Sequence, residues 1–191
     1  SRKSLDSSVK KFPDWNDVHT IVFDFDGVFT DNKVWIDQNG VESVCCDRGD
    51  GLGFDLLRAF KEINNWVLNY FILSKEKNPV VSVRAEKLQI DSIQSVCNKA
   101  DFLANYLDEN RLNSEGLVYL GNDLNDLAAI RMAGFSVAPS DAHALILDQV
   151  DLVLPQKGGD AFVRGFIELL IGLENMSALK IVELTDFRKR S

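Results

Sequence analysis

The segment from His19 to Asp31, HTIVFDFDGVFTD, determines the fold and contains the first candidate site. An apolar run ends at Asp24 and Asp26, and Gly27 follows at once, which is typical of a short buried strand that stops at an acidic edge. Residues two apart on an extended strand point to the same side. Two carboxylates held that close repel each other unless a cation lies between them. The alternative interpretation is an acidic turn without a chemical role.

Composition limits the classes of protein to which the chain can belong. The 191 residues are enough for one domain, and 46% hydrophobic and 26% charged residues are ordinary for a globular protein. No run approaches the ~20 apolar residues of a membrane helix. The formal charge of -8 argues against a nucleic-acid or anionic membrane partner. A small anionic substrate remains compatible, because a bound metal ion can reverse the sign of the local charge.

The cysteines and histidines give no sign of a disulfide framework or a zinc site. There are three cysteines, Cys45, Cys46 and Cys97, and two of them are adjacent. An odd number without a CxxC pair, together with two histidines, is not typical of either kind of site. This pattern predicts a reducing, cytoplasmic setting.

The rest of the chain alternates between short apolar runs and amphipathic segments. This alternation predicts an α/β fold, a single Rossmann-like domain with a mostly parallel sheet and helices on both faces. Asn39-Gly40, which lies between two β-like runs, predicts a β-hairpin inserted directly after the first strand. The predicted organisation is a linker or flexible arm over 1–18, one domain over 19–173 and a C-terminal tail over 174–191. Further strands are expected at 66–73, 93–96, 116–120, 135–138 and 151–154, and helices at 51–65, 79–88, 99–110, 124–133, from 141 onward, and 161–173.

Polar residues follow several of these strands, and parallel strands bring their carboxyl ends to one edge. This set suits phosphoryl transfer: a carboxylate can attack phosphorus, Mg²⁺ can offset the anionic charge, and a hydroxyl and an ammonium can hold phosphoryl oxygens. A second carboxylic acid could donate a proton and then activate water. The candidate residues are Asp24 and Asp26 after the first strand, Ser74 after the second, Asn122, Asp123 and Asp126 after a later one, and Lys99 at a helix start.

These residues resemble the four motifs of the haloacid dehalogenase superfamily of phosphatases. DFDGVFTD matches the first motif, Ser74 the second, Lys99 the third and GNDLND (121–126) the fourth. The hairpin, the lack of room for a cap domain, and Gly158-Gly159 followed by Arg164 resemble the capless 3-deoxy-D-manno-octulosonate 8-phosphate phosphatase group. ILSKEKNPVVSVRAEKL (72–88) resembles the branch linked to nine-carbon sugar acids, which includes the phosphatase-like domain of acylneuraminate cytidylyltransferases.

The resemblance implies a role for each matching residue. Asp24 would be the nucleophile and a Mg²⁺ ligand, and Asp26 the general acid/base and a ligand through its backbone carbonyl. Ser74 and Lys99 would hold the phosphoryl group. Asn122 stands where the family has an acidic metal ligand, so Asn122 or Asp123 would complete the metal site. Asp126 would orient Lys99 or a metal-bound water.

Other residues depart from the family pattern and bear on the substrate. Lys75-Glu76 replaces the Gly-Arg pair of many relatives, and Gly49 stands where they have an arginine, with Arg48 one residue earlier. Arg48 and Arg164 are therefore candidate carboxylate anchors, because a guanidinium can bind a carboxylate through two hydrogen bonds. The alternative for both is a surface arginine.

Three candidates also have simple structural interpretations. Ser74 could be a helix N-cap, Lys99 a solvated lysine at a helix start, and Asp126 an acidic residue in a first helical turn.

The predicted function is a Mg²⁺-dependent phosphatase of a phosphorylated 3-deoxy-2-ulosonic acid, a nonulosonate 9-phosphate or an octulosonate 8-phosphate, acting through an aspartyl-phosphate. The resemblance implies a homotetramer in which hairpins and neighbouring chains close the sites, and a possible fusion to, or action beside, a cytidylyltransferase domain. The alternative is a non-catalytic oligomerisation module of an acylneuraminate cytidylyltransferase.

Overall fold

The computed structural model describes residues 10–187, which form an α/β domain around a six-stranded parallel sheet. The strand order is β5-β4-β1-β6-β7-β8, and β2 and β3 form a separate antiparallel hairpin. The strands β1–β8 are Thr20–Phe23, Trp35–Ile36, Glu42–Ser43, Asn69–Leu73, Asp91–Ile93, Leu117–Leu120, Phe135–Pro139 and Leu152–Leu154. The helices α1–α7 are Gly49–Ile63, Val80–Leu88, Lys99–Glu109, Leu127–Met132, Ala144–Leu147, Phe162–Ile171 and Ala178–Asp186. The predicted fold class is confirmed.

The sheet is covered on both faces, so its central strands are apolar throughout. All four residues of β1 are buried. Because side chains alternate along a strand, Ile21 and Phe23 pack with α1, α2 and α6, whereas Val22 packs with α3, α4 and α5 on the opposite face. Phe23 contacts Phe54 of α1 edge to face, with ring centroids 5.6 Å apart. Burial on both faces makes β1 the fixed centre from which Asp24 extends.

The inserted hairpin was predicted correctly from Asn39-Gly40. Trp35 pairs with Ser43 and Ile36 with Glu42, and Gly40 has a φ of +77°, which an L residue rarely adopts. A single bridge between Thr30 and Cys46 joins the two ends of the insertion. Within residues 10–187 no cap domain is inserted at this position or elsewhere.

The segments on either side of the predicted domain pack against it. Phe12 contacts Phe135, with centroids 5.4 Å apart, and Trp15 contacts Trp66, with centroids 5.3 Å apart. The described part of the predicted arm therefore packs against the core through these aromatic side chains, whereas residues 1–9 lie outside the described residues. The predicted tail contains α7, whose Leu184 is buried against the core. The domain boundaries at 19 and 173 stay a prediction.

Several element boundaries differ from the prediction for identifiable reasons. β5 begins at Asp91 rather than 93, because its pairing partner β4 starts the ladder at Phe71. The helix expected at 124–133 is a 3-10 turn, Leu124–Asp126, followed by α4. The helix expected from 141 begins at Ala144, where the His143 side chain accepts a hydrogen bond from Leu145 N. No helix of the described chain is long and apolar enough to cross a membrane.

Candidate active site

The candidate site lies where the strand order reverses. The chain forms β1, β4 and β5 on one side of the sheet and then returns to form β6, β7 and β8 on the other. Ligands of open α/β sheets bind outside the carboxyl ends of the strands at such a reversal. Asp24 follows β1, and its N–H donates to the carbonyl of Leu120 at the end of β6, at 2.9 Å. The two strand ends that carry the candidate residues are thereby joined.

A tight turn after β1 carries both aspartates. The carbonyl of Phe25 accepts hydrogen bonds from the N–H groups of Val28 and Phe29, and Gly27 has a φ of +79°. Asp24 and Asp26 thus lie beyond the strand, so the prediction that an extended strand aligns them was wrong. The turn, not strand alternation, brings both side chains to the same cavity.

Lys99 lies under the cavity between two carboxylates. Its Nζ donates to Asp24 Oδ1 at 2.7 Å and to Asp126 Oδ1 at 2.9 Å, and only 3% of the residue is exposed. A solvated lysine would not be buried in this way, so that alternative is wrong. Burial opposes the lysine's charge, but Asp24 and Asp126 outweigh it and raise the pKa of Lys99. Lys99 therefore places a positive charge against Asp24.

Asp126 is fully buried and accepts four hydrogen bonds. Its Oδ1 accepts from Lys99 and from the hydroxyl of Tyr119 at 2.6 Å, and its Oδ2 accepts from the N–H groups of Asn122 at 3.0 Å and Asp123 at 3.3 Å. It also completes a capping box with Asp123. The alternative interpretation, an acidic residue in a first helical turn, therefore describes part of its role. Sequence analysis missed Tyr119, although a tyrosine in a buried strand signals a hidden hydrogen-bond partner for its hydroxyl.

Burial is the main cause of the raised pKa of both aspartates in the turn, and the second cause differs between them. Burial, and then the charge of Asp126, raises the pKa of Asp24 to about 8, against the opposing effect of Lys99. Burial, and then the charge of Glu76, raises the pKa of Asp26. A carboxyl with a raised pKa keeps its proton nearer to neutral pH, which suits a general acid.

The amide of Asn122 lies against two oxygens of the turn. One end of this amide lies beside the Asp26 carbonyl oxygen and Asp24 Oδ2, and a nitrogen placed there donates to them at 2.8 Å and 3.0 Å. With the amide turned the other way, its oxygen faces the Asp26 carbonyl oxygen and Asp24 Oδ2. Three oxygens this close together are favourable only around a cation. A carboxylate, a main-chain carbonyl and an amide are oxygen ligands that suit Mg²⁺. Among residues 10–187 no group of three or more His, Cys, Asp or Glu side chains is arranged to hold a metal, so a metal bound here would also need the amide and the carbonyl.

Ser74 lies at the end of β4 and lines the same cavity. It is 1% exposed, and its Oγ accepts a hydrogen bond from Glu76 N at 3.1 Å. Pro79, not Ser74, precedes α2, so the N-cap alternative is wrong. Ser74 instead shapes the loop that forms one wall of the cavity.

The remaining candidate residues are less well placed to bind a metal or a substrate. The Asp123 carboxylate lines the cavity, but its Oδ1 already accepts from Leu124 N at 2.7 Å. Arg48 and Arg164 do not line the cavity. The Nε of Arg164 donates to Glu168 Oε1 at 2.8 Å along α6. The structure therefore does not bring the two arginines to the other candidate residues.

The cavity itself has a volume of about 350 Å³ and is open to solvent. The hairpin, the loop after β4 and the loop after β6 form its walls. Its lining residues are Asp24, Asp26, Asn32, Val34, Glu42, Val44, Ser74, Lys75, Glu76, Asn78, Val80, Val81, Asn122, Asp123 and Asn125. A polar lining of this kind fits a small hydrophilic molecule better than an apolar one.

Comparison with known proteins identifies the family to which the chain belongs. The haloacid dehalogenase-like hydrolase family matches residues 59–165, and the chain belongs to this family. A HAD family hydrolase from Streptomyces avermitilis MA-4680 is 36% identical, with a TM-score of 0.79 over 87% of this chain and 99% of that one. The expected superfamily and the expected enzyme class, a phosphomonoesterase, are confirmed.

Two further relatives indicate which group within the family the chain resembles. The 3-deoxy-D-manno-octulosonate 8-phosphate phosphatase KdsC of Salmonella typhi is 29% identical over 155 residues, which are 81% of this chain and 79% of that protein. The corresponding phosphatase of Moraxella catarrhalis, solved with magnesium, phosphate and the sugar acid KDO, is 25% identical with a TM-score of 0.74. That match covers 83% of this chain and 88% of the other. The chain is thus similar to the capless phosphatase group predicted from its motifs.

Proposed function

We propose that the protein is a Mg²⁺-dependent phosphatase of a phosphorylated 3-deoxy-2-ulosonic acid. The observation that supports this most is the group formed by Asp24, Lys99 and the Asn122 amide at the base of an open polar cavity. It combines a carboxylate nucleophile, a fixed cation and a set of oxygen ligands. The similarity to 3-deoxy-D-manno-octulosonate 8-phosphate phosphatases supports the substrate class.

The mechanism follows from the chemistry of these side chains. Asp24 attacks phosphorus in line with the leaving oxygen and forms an aspartyl-phosphate. Asp26, whose raised pKa favours its protonated form, gives its proton to the leaving alkoxide. It then takes a proton from the water that hydrolyses the aspartyl-phosphate. Ser74 and Lys99 bind the phosphoryl oxygens, and Asp126 keeps Lys99 in place.

Asp24, the backbone carbonyl of Asp26, and Asn122 would hold the Mg²⁺ ion, and Asp123 is a further candidate ligand. The ion would favour the ionised form of Asp24 and offset the charge of the phosphate. An amide carries no charge, so we expect weaker Mg²⁺ binding than with a third carboxylate. This is a reason to expect activity only at elevated Mg²⁺.

The finer parts of the proposal concern substrate length and assembly. The segment 72–88 resembles the nine-carbon branch, so a nonulosonate 9-phosphate, of the sialic acid type, is proposed beside an octulosonate 8-phosphate. Trp35 and Ile36 are 75% and 64% exposed on the hairpin, which supports a homotetramer that covers them and the cavity. A cytidylyltransferase domain, fused or separate, would use the dephosphorylated sugar acid.

The test is release of phosphate from a panel of sugar-acid phosphates with Mg²⁺ or with EDTA. We expect turnover of eight-carbon or nine-carbon esters with Mg²⁺ only, and kcat/KM values rank the two. Folded protein that hydrolyses none of the panel would overturn the proposal and favour the non-catalytic module. Turnover of neutral sugar phosphates alone would overturn the substrate class but not the reaction.

A further inference from the structure

The charges that line the cavity are almost all negative. In the described part of the chain, its lining includes five carboxylate side chains and one cationic side chain, that of Lys75. The five are Asp24, Asp26, Glu42, Glu76 and Asp123. Lys99 lies beneath the cavity with its ammonium group bonded to Asp24 and Asp126. A substrate with a second anionic group would therefore meet repulsion almost everywhere along these walls.

Lys75 is placed to relieve this repulsion. It directly follows Ser74 at the mouth of the cavity, and its side chain is exposed. Within residues 10–187 it belongs to none of the ion pairs, so its charge is not already neutralised by a contact. Arg48 and Arg164, which the sequence suggested as anchors, do not line the cavity.

We propose that Lys75 binds the carboxylate of the substrate and makes the enzyme select sugar-acid phosphates over neutral sugar phosphates. The inference rests on the proposed function and adds the residue that recognises the acid group. If Ser74 holds the phosphoryl group, the leaving group extends into the same cavity that Lys75 lines. A flexible ammonium group there can reach an anion without a fixed partner geometry. Lys75 is thus a specificity residue and takes no part in the chemical step.

The experiment compares two esters that differ only at the acid group. One is a 3-deoxy-2-ulosonate phosphate, and the other is the same ester with a primary alcohol in place of the carboxylate. The measured quantity is the ratio of their kcat/KM values. We expect Lys75→Gln to reduce this ratio at least tenfold and Lys75→Arg to preserve it within threefold. Lys77→Gln, an exposed lysine of the same loop that does not line the cavity, should leave the ratio unchanged.

The salt dependence of the kcat/KM ratio and the affinity for the free sugar acid provide two independent tests. Because the contact is exposed, salt should lower the wild-type ratio, whereas the ratio for Lys75→Gln should be insensitive to it. Calorimetry with the free sugar acid needs no turnover, and we expect a Kd at least tenfold weaker for Lys75→Gln.

The outcomes separate this inference from the proposed function. If neither ester is hydrolysed by the wild type, the phosphatase proposal fails, and Lys75-dependent binding of the free acid still supports the inference. An equal loss of kcat/KM on both esters, or a Kd for the acid that Lys75→Gln does not change, would overturn it.

Discussion

At the scale of single residues, Asp126 connects three parts of the site. Its carboxylate holds Lys99 from α3, Tyr119 from β6 and the backbone N–H groups of Asn122 and Asp123. A buried carboxylate is stable only when its oxygens are bonded in this way. The position of Lys99 against Asp24 therefore depends on a residue that does not itself line the cavity.

Replacing Asp24 by asparagine should abolish turnover while keeping the fold. An amide is isosteric with the carboxylate but cannot attack phosphorus, so we expect phosphate release to fall by at least about a thousandfold. Asp148→Asn, the same change at an exposed position, should leave the rate within threefold of wild type. Activity that survives in Asp24→Asn would refute its role as the nucleophile.

Replacing Asn122 by aspartate should strengthen Mg²⁺ binding. A third negative ligand should lower the Mg²⁺ concentration for half-maximal binding by roughly tenfold. In EDTA the added carboxylate lies near Asp24 Oδ2, so the melting temperature should fall below that of the wild type. Calorimetry with Mg²⁺ and thermal melts with Mg²⁺ or EDTA measure both effects. Identical metal dependence in variant and wild type would show that Asn122 is not a ligand.

Asp50 makes stability depend on pH. Burial raises the pKa of Asp50 to about 7, although a hydrogen bond from Arg164 N at 3.1 Å opposes the shift. The folded state therefore keeps a proton that the unfolded state has lost, so stability falls as pH rises from about 4 to 7. We expect the stability advantage of Asp50→Asn over the wild type to be larger at pH 8 than at pH 5, by about 2 to 3 kcal/mol. Urea unfolding at the two pH values tests this, and a constant difference would contradict the assignment.

The sequence predicted most of the site residues but not how they are held. Asp24, Asp26, Ser74, Lys99 and Asn122 follow strands or open a helix, so the topology alone brings them to one edge. Tyr119 was missed because it lies inside an apolar run, where its hydroxyl is hidden among core residues. Arg48 and Arg164 were chosen from their places in the family pattern and because a guanidinium can bind a carboxylate. No sequence pattern reports the direction in which a loop or helix turns such a side chain. The residues that line the cavity, Lys75 among them, come from separate loops, so only the three-dimensional structure shows that they lie together.

At the scale of elements, the loop before α6 supports the turn that carries Asp24 and Asp26. Gly159 N donates to the carbonyl of Val28 at 3.2 Å. A Cβ on Gly158 would lie 1.9 Å from the Gly27 carbonyl oxygen, so only glycine permits this approach. The loop and the turn thus pack backbone to backbone, which fixes the direction in which Asp26 points.

Replacing Gly158 by alanine should displace the turn. We expect kcat to fall at least about tenfold and the melting temperature to fall, because the Gly27 backbone cannot give way without moving Asp24 or Asp26. Gly51→Ala is the matched control: the new Cβ meets only Leu88 Cδ2, at 3.9 Å, inside α1. That change should leave kcat unaffected and raise stability slightly. Equal effects of the two substitutions would contradict the supporting role of the loop.

Element boundaries show the limits of local sequence patterns. Long amphipathic segments such as α1 and α3 were placed within about two residues, because their periodicity extends over several turns. Short strands depend on distant partners: β5 takes its start from its pairing with β4. Such a contact lies outside the window of any local pattern.

At the scale of the whole molecule, the exposed apolar side chains of the hairpin form a surface that a partner would cover. Val34, Trp35, Ile36 and Val41 are between 47% and 75% exposed and lie together on one projection. If the proposed homotetramer forms through this surface, Trp35→Asp should shift the sedimentation of the protein to smaller species and reduce kcat/KM with it. Val67→Asp, at a residue that is 85% exposed far from the hairpin, should change neither. An unchanged mass for Trp35→Asp would exclude the hairpin as the interface.

The bridge between Thr30 and Cys46 has a consequence for engineering. Because this contact brings the two ends of the hairpin insertion together, the fifteen residues between them, 31–45, leave and rejoin the domain at nearly one point. Its sequence and length can change without altering the register of the parallel sheet. Hairpins exchanged between relatives at this junction would transplant one wall of the cavity and the projecting apolar surface together. Under the proposed function, exchanging this one segment would change substrate preference and assembly together and leave the positions of Asp24 and its partners unchanged.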